Sequence, residues 1–468
     1  GDMLQIDRRT KTPYYVQIYE YYKGEIEKGR MCPGTKLPSM RSLATFTGLS
    51  KLTVENAYSQ LVDEGYIVGR RKARYCVADL PLKKYVPTIS PAPEAAVKKR
   101  QYMYDFASGD VDLDGFPLVL WRKYMNRVLS RPDMLLAGQD EQGAPVLRET
   151  LSRYVYEKRG VYAAADNIII ANGVTTLLRI LGHLLRLTHR RIGVEEPGFR
   201  LAREIFRSGG YEIVPLPVGE KGFDIDGLKA EKASLAYVTP SHQFPTGKVM
   251  SAGERHKLLQ WAEATDGLII EDDYDSELRY EGRPIPALQG LDRNNRVIYL
   301  GSLSKVLPFF VRISYMVLPN RLMGRYYEEQ ALFRQSASVP EQCVVAEYIH
   351  DGEMDKQIRR LRRLYQEKGK KTEHLLRQYF GDAAGVSPVV SGIHCQLALT
   401  SSLTEAELTE AAKREGCLVL PMGTFYERPA DLQVRRFLLS FAKIREDMLE
   451  EAVAALHRAW MTGGNGNG

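Results

Sequence analysis

Apolar positions recur at helical spacing from the start of the chain. Tyr15, Ile18, Tyr22 and Ile26 share one face of a segment that stops at Gly29, which predicts an amphipathic helix. LPSMRSLATFTGLS predicts a short second helix opened by Ser39 and closed by a turn at Gly48. SKLTVENAYSQLVDEG predicts a third, capped by Ser50, with Val54, Ala57, Tyr58 and Leu61 on one face and an end at Gly65. YIVGRRKARYCVA then alternates as a two-stranded ribbon does, with a basic tip. Three helices followed by a basic hairpin predict a winged helix-turn-helix over residues 1–78.

From 79 to 104 the periodicity disappears. Pro81, Pro87, Pro91 and Pro93 stand among Lys, Ala and Glu, and the segment reads as an extended linker. Beyond it, the apolar runs NIIIA, RIGVEE, LAYVTP, GLIIEDD, RVIYLG and ISYMVLP alternate with helical stretches. Short buried strands separated by helices predict an α/β body, residues 105–462, built on a large, mostly parallel sheet. From about Ala331 a long charged helix and further strand-like pieces predict a smaller α+β lobe. GGNGNG, residues 463–468, reads as a flexible tail.

Composition adds little to this picture, and charge adds more. The 44% apolar and 26% charged fractions are those of an ordinary globular chain. No run approaches the length needed to cross a bilayer, and no apolar signal core is seen, so the expected location is the cytoplasm. The five cysteines lack CxxC spacing, so neither a disulfide framework nor a metal site is expected. Of the net charge of +7, an excess of six falls on residues 1–84, which hold 15 Lys and Arg against 9 Asp and Glu. That asymmetry suits a small module meeting phosphate, and it also suits a solvated basic face.

In a helix-turn-helix the second helix of the pair enters the major groove. Ser50, Lys51, Thr53 and Asn56 are therefore candidate base or phosphate contacts. Ser39 and Arg41, with Arg70, Arg71, Lys72 and Arg74 on the wing, would mostly meet phosphates. Taken singly, Thr53 also reads as a helix-surface residue and Arg70 as a solvated charge.

The body's chemistry centres on GSLSKVLPFFVR. Lys305 lies between Ser304 and Arg312, and a lysine amine forms a Schiff base with an aldehyde such as that of pyridoxal 5'-phosphate. The phosphate of that cofactor needs donors. Ser302, Ser304 and Arg312 are candidates, with the backbone N–H groups at Gly173, Val174 and Thr175 where a helix starts after NIIIAN. Its ring nitrogen needs a carboxylate, and Asp272 ends the apolar strand GLIIEDD. Tyr274 is placed to hydrogen-bond the phenolic oxygen, and Phe199 in EEPGFR to cover the ring. Singly, Asp272 also reads as a strand-end cap and Phe199 as a core residue; their combination in one chain carries the argument.

The first part of the chain, through PGTKLPSMRSLA and the TV…AY…L…EGYI run, resembles the GntR family of bacterial regulators over about 55 residues. The wing departs from that family: RRKARY stands where a glycine-rich tip is usual. From about Tyr104 to Trp460 the chain resembles fold type I aminotransferases. FASGDVDLDGFPLVLWRK, TPSHQFPTG, IIEDDYDSE, GSLSKVLPFFVRISYMVLP and EGCLVLPMGTFYERP match in order. The combination is similar to the MocR/GabR regulators. That resemblance implies a homodimer on an operator of double-stranded DNA, with Lys305 as the Schiff-base lysine, Asp272 facing the ring nitrogen, Tyr274 the phenolic oxygen, and Arg312 and Ser302 the phosphate. It also implies a small amine or amino-acid effector sensed by exchange at Lys305; the alternative is a working aminotransferase with an accessory DNA-binding head.

Three departures bear on activity. Phe244-Pro245-Thr246-Gly247 replaces Asn-Pro-Thr-Gly, leaving Gln243 or Tyr274 to bond the ring oxygen. Leu438-Leu439-Ser440-Phe441 replaces the usual Arg-Leu-x-Phe, so the carboxylate clamp is missing, with Arg428, Arg435 and Arg436 as candidate replacements. Ser314 stands where glycine is common. These departures favour a sensor over a proficient enzyme.

Overall fold

The computed structural model describes residues 3–69, 74–82, 89–93, 101–111, 113–280, 285–428 and 434–462. The expectations for Arg70, Arg71 and Lys72 on the wing and for the tail 463–468 lie outside the described residues. The chain divides into two compact units, Gly1–Lys99 and Arg100–Gly468.

The first unit carries helices α1 (Tyr14–Glu27), α2 (Met40–Thr47) and α3 (Lys51–Asp63), then the short antiparallel pair β1 (Ile67–Val68) and β2 (Cys76–Val77). The serine caps form as their positions dictate. Ser39 Oγ accepts from Ser42 N at 3.1 Å and Ser50 Oγ from Thr53 N at 3.2 Å, each satisfying an N–H that has no partner within its helix. Gly48 closes α2 at φ +69°, a conformation that favours glycine. Ile18, Tyr22, Ile26, Leu43, Val54, Tyr58 and Leu61 meet in one core. Of the four positions expected on the inner face of α1, Ile18, Tyr22 and Ile26 are buried, joined by Tyr19, while Tyr15 in the first turn is exposed.

The second unit opens with β3 (Tyr104–Asp105) and is organised by β4 (Ile168–Ala171), β5 (Arg191–Glu196), β6 (Glu212–Gly219), β7 (Gly222–Phe223), β8 (Leu235–Val238), β9 (Leu268–Asp273), β10 (Val297–Ser302) and β11 (Ser314–Val317). These lie side by side in the order β4-β11-β10-β9-β8-β5-β6-β7. The neighbours from β10 to β6 run parallel, and β11 and β7 run against them. Strands β4, β8, β9, β10 and β11 are buried along their length, which is why they read as unbroken apolar runs. The sequence pattern missed β6, whose Pro215 and Pro217 interrupt it. The strand tolerates them because it lies next to the end of the sheet.

A second sheet joins β12 (Ala384–Val386), β13 (His394–Thr400), β15 (Leu420–Pro421) and β16 (Val434–Ser440) antiparallel in the order β12-β13-β16-β15, while β14 (Cys417–Leu418) pairs with β3. The long helix Glu353–Phe380 packs on it. The helix Val339–His350 packs against Leu118–Leu129 and Pro145–Arg159 as well as against Glu353–Phe380. No helix among the described residues is long and apolar enough to cross a membrane.

Candidate functional site

Parallel strands leave a crevice beyond their carboxyl ends, and here it is a cavity of about 360 Å³ lined by residues from both sheets. Asp272 reaches it by alternation. In β9, Glu271 and Asp273 point one way and Asp272 the other. Glu271 accepts from Leu288 N at 2.7 Å and Gln289 N at 2.8 Å, and Asp273 is paired with Arg159 at 2.6 Å. Asp272 is left facing the cavity with the Tyr237 hydroxyl donating to it. Burial pushes its carboxyl up to about 7, against the Tyr237 bond and with the help of Asp273 and Asp275. An anion held this way favours a cation opposite it.

Lys305 lies in the turn between antiparallel β10 and β11, where Ser302 pairs with Ser314. Ser302 Oγ accepts from Ser304 N at 3.1 Å and from the Ser314 hydroxyl at 3.1 Å, which holds the turn. Serine at 314 thus has a definite partner. Lys305 Nζ donates to Gly109 O at 3.5 Å; a Cβ at Gly109 would stand 2.6 Å from it, so only glycine lets the amine occupy this position. Burial lowers the amine's pKa, opposed by Asp275, Asp110 and Asp272. A lysine moved this way presents more of its neutral, nucleophilic form.

The helix Val174–Leu185 starts at the cavity with Gly173 as its N-cap and no side chain capping it. Its first N–H groups and Thr175 therefore face the cavity, a ready site for an anion. Arg312 lines the same corner, and a Cβ on Gly173 would lie 3.0 Å from its Nη2. Among the described residues no carboxylate pairs with Arg312. Phe199 lines the wall and packs edge-on against Phe244, which meets Tyr274 and, from the small lobe, Phe425.

The structure thus brings Lys305, Asp272, Tyr274, Ser302, Ser304, Arg312, Gly173, Val174, Thr175 and Phe199 to one cavity. Gln243 does not line it. Its amide donates to Pro197 O at 2.9 Å and to Phe244 O at 2.6 Å, and its oxygen accepts from Thr246, so the side chain braces its own loop and is not available to a ligand. The candidate clamps are also elsewhere. Arg428 is exposed, Arg435 donates to Leu403 O at 2.8 Å, and Arg436 is exposed on β16. Leu438, which opens Leu438-Leu439-Ser440-Phe441, packs with Met422, Phe425, Phe244 and Leu420 and makes that wall apolar.

Sequence reading missed Tyr237, His242, Phe244, Asp275, His394, Leu420 and Phe425. His394 lines the cavity, and burial with Lys305 and His242 nearby pushes its pKa down to about 3, so the ring is neutral there. His242, Phe244, Asp275, Leu420 and Phe425 lie within the quoted motifs TPSHQFPTG, IIEDDYDSE and EGCLVLPMGTFYERP, but no local pattern marks their place at the site, because each acquires it from elements far away in the chain.

In the head, Lys51 and Asn56 on α3, Arg41 on α2 and Arg74 are exposed, while Thr53 is half-buried. Ser39 and Ser50 cap their helices, and Arg74 Nε donates to Leu37 O at 2.9 Å.

Two family descriptions match the chain: "Aminotransferase class I and II" over residues 102–456 and "Bacterial regulatory proteins, gntR family" over residues 14–77. The chain is 37% identical to the uncharacterized HTH-type transcriptional regulator YdeL of Bacillus subtilis (strain 168), over 97% of this chain and 98% of the relative. It is 31% identical to the probable rhizopine catabolism regulatory protein MocR of Rhizobium meliloti, over 98% and 96%. The crystal structure of LysN, an alpha-aminoadipate aminotransferase from Thermus thermophilus complexed with N-(5'-phosphopyridoxyl)-L-leucine, aligns with a TM-score of 0.68 at 25% identity. That alignment covers 76% of this chain and 91% of LysN.

Proposed function

We propose, from the premise that this chain belongs to the MocR/GabR family of HTH-type transcription regulators, that its body senses a small amine or amino acid through pyridoxal 5'-phosphate. The head then binds operator DNA according to the state of that site. The observation that carries the reading is the meeting of Lys305, Asp272, Tyr274, Arg312 and an uncapped helix N-terminus in one cavity.

The donor set fits the cofactor group by group. The helix start at Gly173, Ser304, Thr175 and Arg312 would hold the phosphate dianion. Asp272, whose burial leaves it in want of a cation, would hold the proton of the ring nitrogen. Tyr274 would donate to the phenolic oxygen, and Phe199 would cover the ring. When bound, the cofactor supplies an aldehyde carbon that condenses reversibly with a primary amine. Lys305, with its lowered pKa, provides the chain's own amine, and an effector amine competes for the same carbon. The side chains lining the cavity would then meet Lys305 in one state and the effector's own substituent in the other. An effector shifts the protein only through such a difference between states.

Because Leu438 makes the clamp's place apolar, an effector's outer part meets Phe425 and Leu420 rather than a cation. The protein works in the cytoplasm as a homodimer, with the two heads on paired half-sites. The alternative, a working aminotransferase, is favoured by the same Lys305, Asp272 and Tyr274. It is separated by steady conversion of an amino acid and a keto acid at ordinary enzyme rates.

The test is Lys305→Ala. The purified variant should lack the visible absorbance of the cofactor-loaded protein and should bind operator equally with and without effector. A variant that keeps both the absorbance and the effector response would refute the reading.

A further inference from the structure

The direction of the Tyr274 hydroxyl is contested by a second side chain. His242, in the loop after β8, lies with its ring stacked at 23° and 5.8 Å from that of Tyr274. Its Nδ1 has two neighbours: the Tyr274 hydroxyl at 3.0 Å and the Asp275 carboxylate, with Oδ2 at 2.9 Å and Oδ1 at 3.1 Å. Its Nε2 is 3.2 Å from Ser391 Oγ, in the loop that leads into β13 of the small lobe. That loop is bound to the segment after β9. Gly392 N donates to Leu278 O at 2.8 Å, Tyr280 N donates to Val390 O at 3.2 Å, and the Tyr280 hydroxyl donates to Gly392 O. Gly392 has φ +73°, and a Cβ there would lie 3.0 Å from Asp275 Oδ2 and 3.4 Å from His242 Cε1, so the loop can come this close only as glycine. Two residues further on, His394 lines the cavity.

One nitrogen cannot serve two neighbours alike. A bare Nδ1 would accept from Tyr274 but would face the Asp275 carboxylate lone pair to lone pair. An Nδ1–H donates to Asp275 and does not accept from Tyr274, so the tyrosine proton is left for an acceptor in the cavity. Asp275 therefore selects the Nδ1–H form.

We propose that His242, bridged between Asp275 and the Ser391 loop, is a positioning residue that turns the Tyr274 hydroxyl into the cavity and makes its direction sensitive to where the small-lobe loop lies. This rests on the cofactor reading above, in which the acceptor is the phenolic oxygen. It gives the sensor a route from loop position to cofactor electronics. The charged and titratable groups around His242 agree with an Nδ1–H ring. Burial opposes its charged form and Asp275 more than offsets this, raising its pKa against Arg279 as well; Arg159 lies across the small cleft that His242 shares with Asp275, and His394 is a further neighbour.

The test uses the full-length cofactor-loaded protein and reads the pH midpoint of its visible absorbance band. A donor to the phenolic oxygen favours the form in which that oxygen is anionic and unprotonated, so losing the donor moves the midpoint up. H242N should raise the midpoint by about half a unit or more, since a hydrogen bond to a charged group is worth about one to two units. S391A, which leaves every cavity residue in place, should shift it the same way by less. Added to Y274F, neither substitution should shift the midpoint further. A midpoint unchanged in both variants, or an equal shift in the Y274F background, would overturn the proposal; if H242N fails to hold cofactor, S391A alone decides. Absence of the band from wild-type protein supplied with cofactor would instead remove the cofactor reading beneath it.

Discussion

Asp272 offers the sharpest quantitative prediction. Its carboxyl is buried at 5% exposure and pushed from 3.8 to about 7. A folded-state value raised above the unfolded one means that the folded chain holds the proton more tightly. The stability this gives is fully present below the unfolded value and is lost as pH rises through the folded one. Replacing Asp272 by Asn removes the ionisation and keeps an oxygen to accept from Tyr237. At about 1.36 kcal/mol per unit, the cofactor-free D272N protein should be more stable than wild type by about 4 kcal/mol at pH 8 and by about 2 kcal/mol at pH 5.5. The assay is urea unfolding of both proteins, stripped of cofactor, at the two pH values. The other carboxylates near the site are common to both proteins and cancel in the difference. Saturating cofactor should narrow the gap at pH 8, because a ring-nitrogen cation stabilises the Asp272 anion and not the amide. A gap that is flat with pH, or a variant less stable than wild type at pH 8, would refute the reasoning.

Three further outcomes are expected. Leu438→Arg, restoring a cation to the apolar wall formed with Phe425, should raise affinity for carboxylate-bearing amines over matched simple amines by about tenfold, read by absorbance titration; an unchanged preference would show that the wall does not face the effector. Ser50→Ala removes the cap from α3 and should cost the head about 1 kcal/mol, visible in its thermal unfolding. Arg41→Ala should weaken operator binding and reduce the salt dependence by about 0.9 in the log–log slope, measured by anisotropy; an unchanged slope would remove Arg41 from the phosphate contacts.

Much of the protein was legible in one dimension. The head's helices and caps follow from Ser39, Gly48, Ser50 and a stripe of apolar residues, all interactions that reach no further than four residues. The buried strands show as unbroken apolar runs because both faces are covered, and Lys305 and Asp272 stand out because strand ends in such a sheet open into a crevice. β6 was hidden because its prolines are permitted by its place near the sheet's end, a property of the assembled sheet alone.

Whether a polar side chain near the site serves a ligand or its own loop was decided by the tertiary structure. Gln243 and His242 are neighbours in sequence and equally polar, yet Gln243 bonds Pro197, Phe244 and Thr246, while His242 meets Asp275, Tyr274 and Ser391. Likewise only folding places Gly109 against Lys305 and Leu438 against Phe425. Hydrogen bonds and packing act over a few ångströms in space and are indifferent to separation along the chain. The sequence therefore determined which elements form and which reactive groups they carry; the packing of distant elements determined which of those groups face one another.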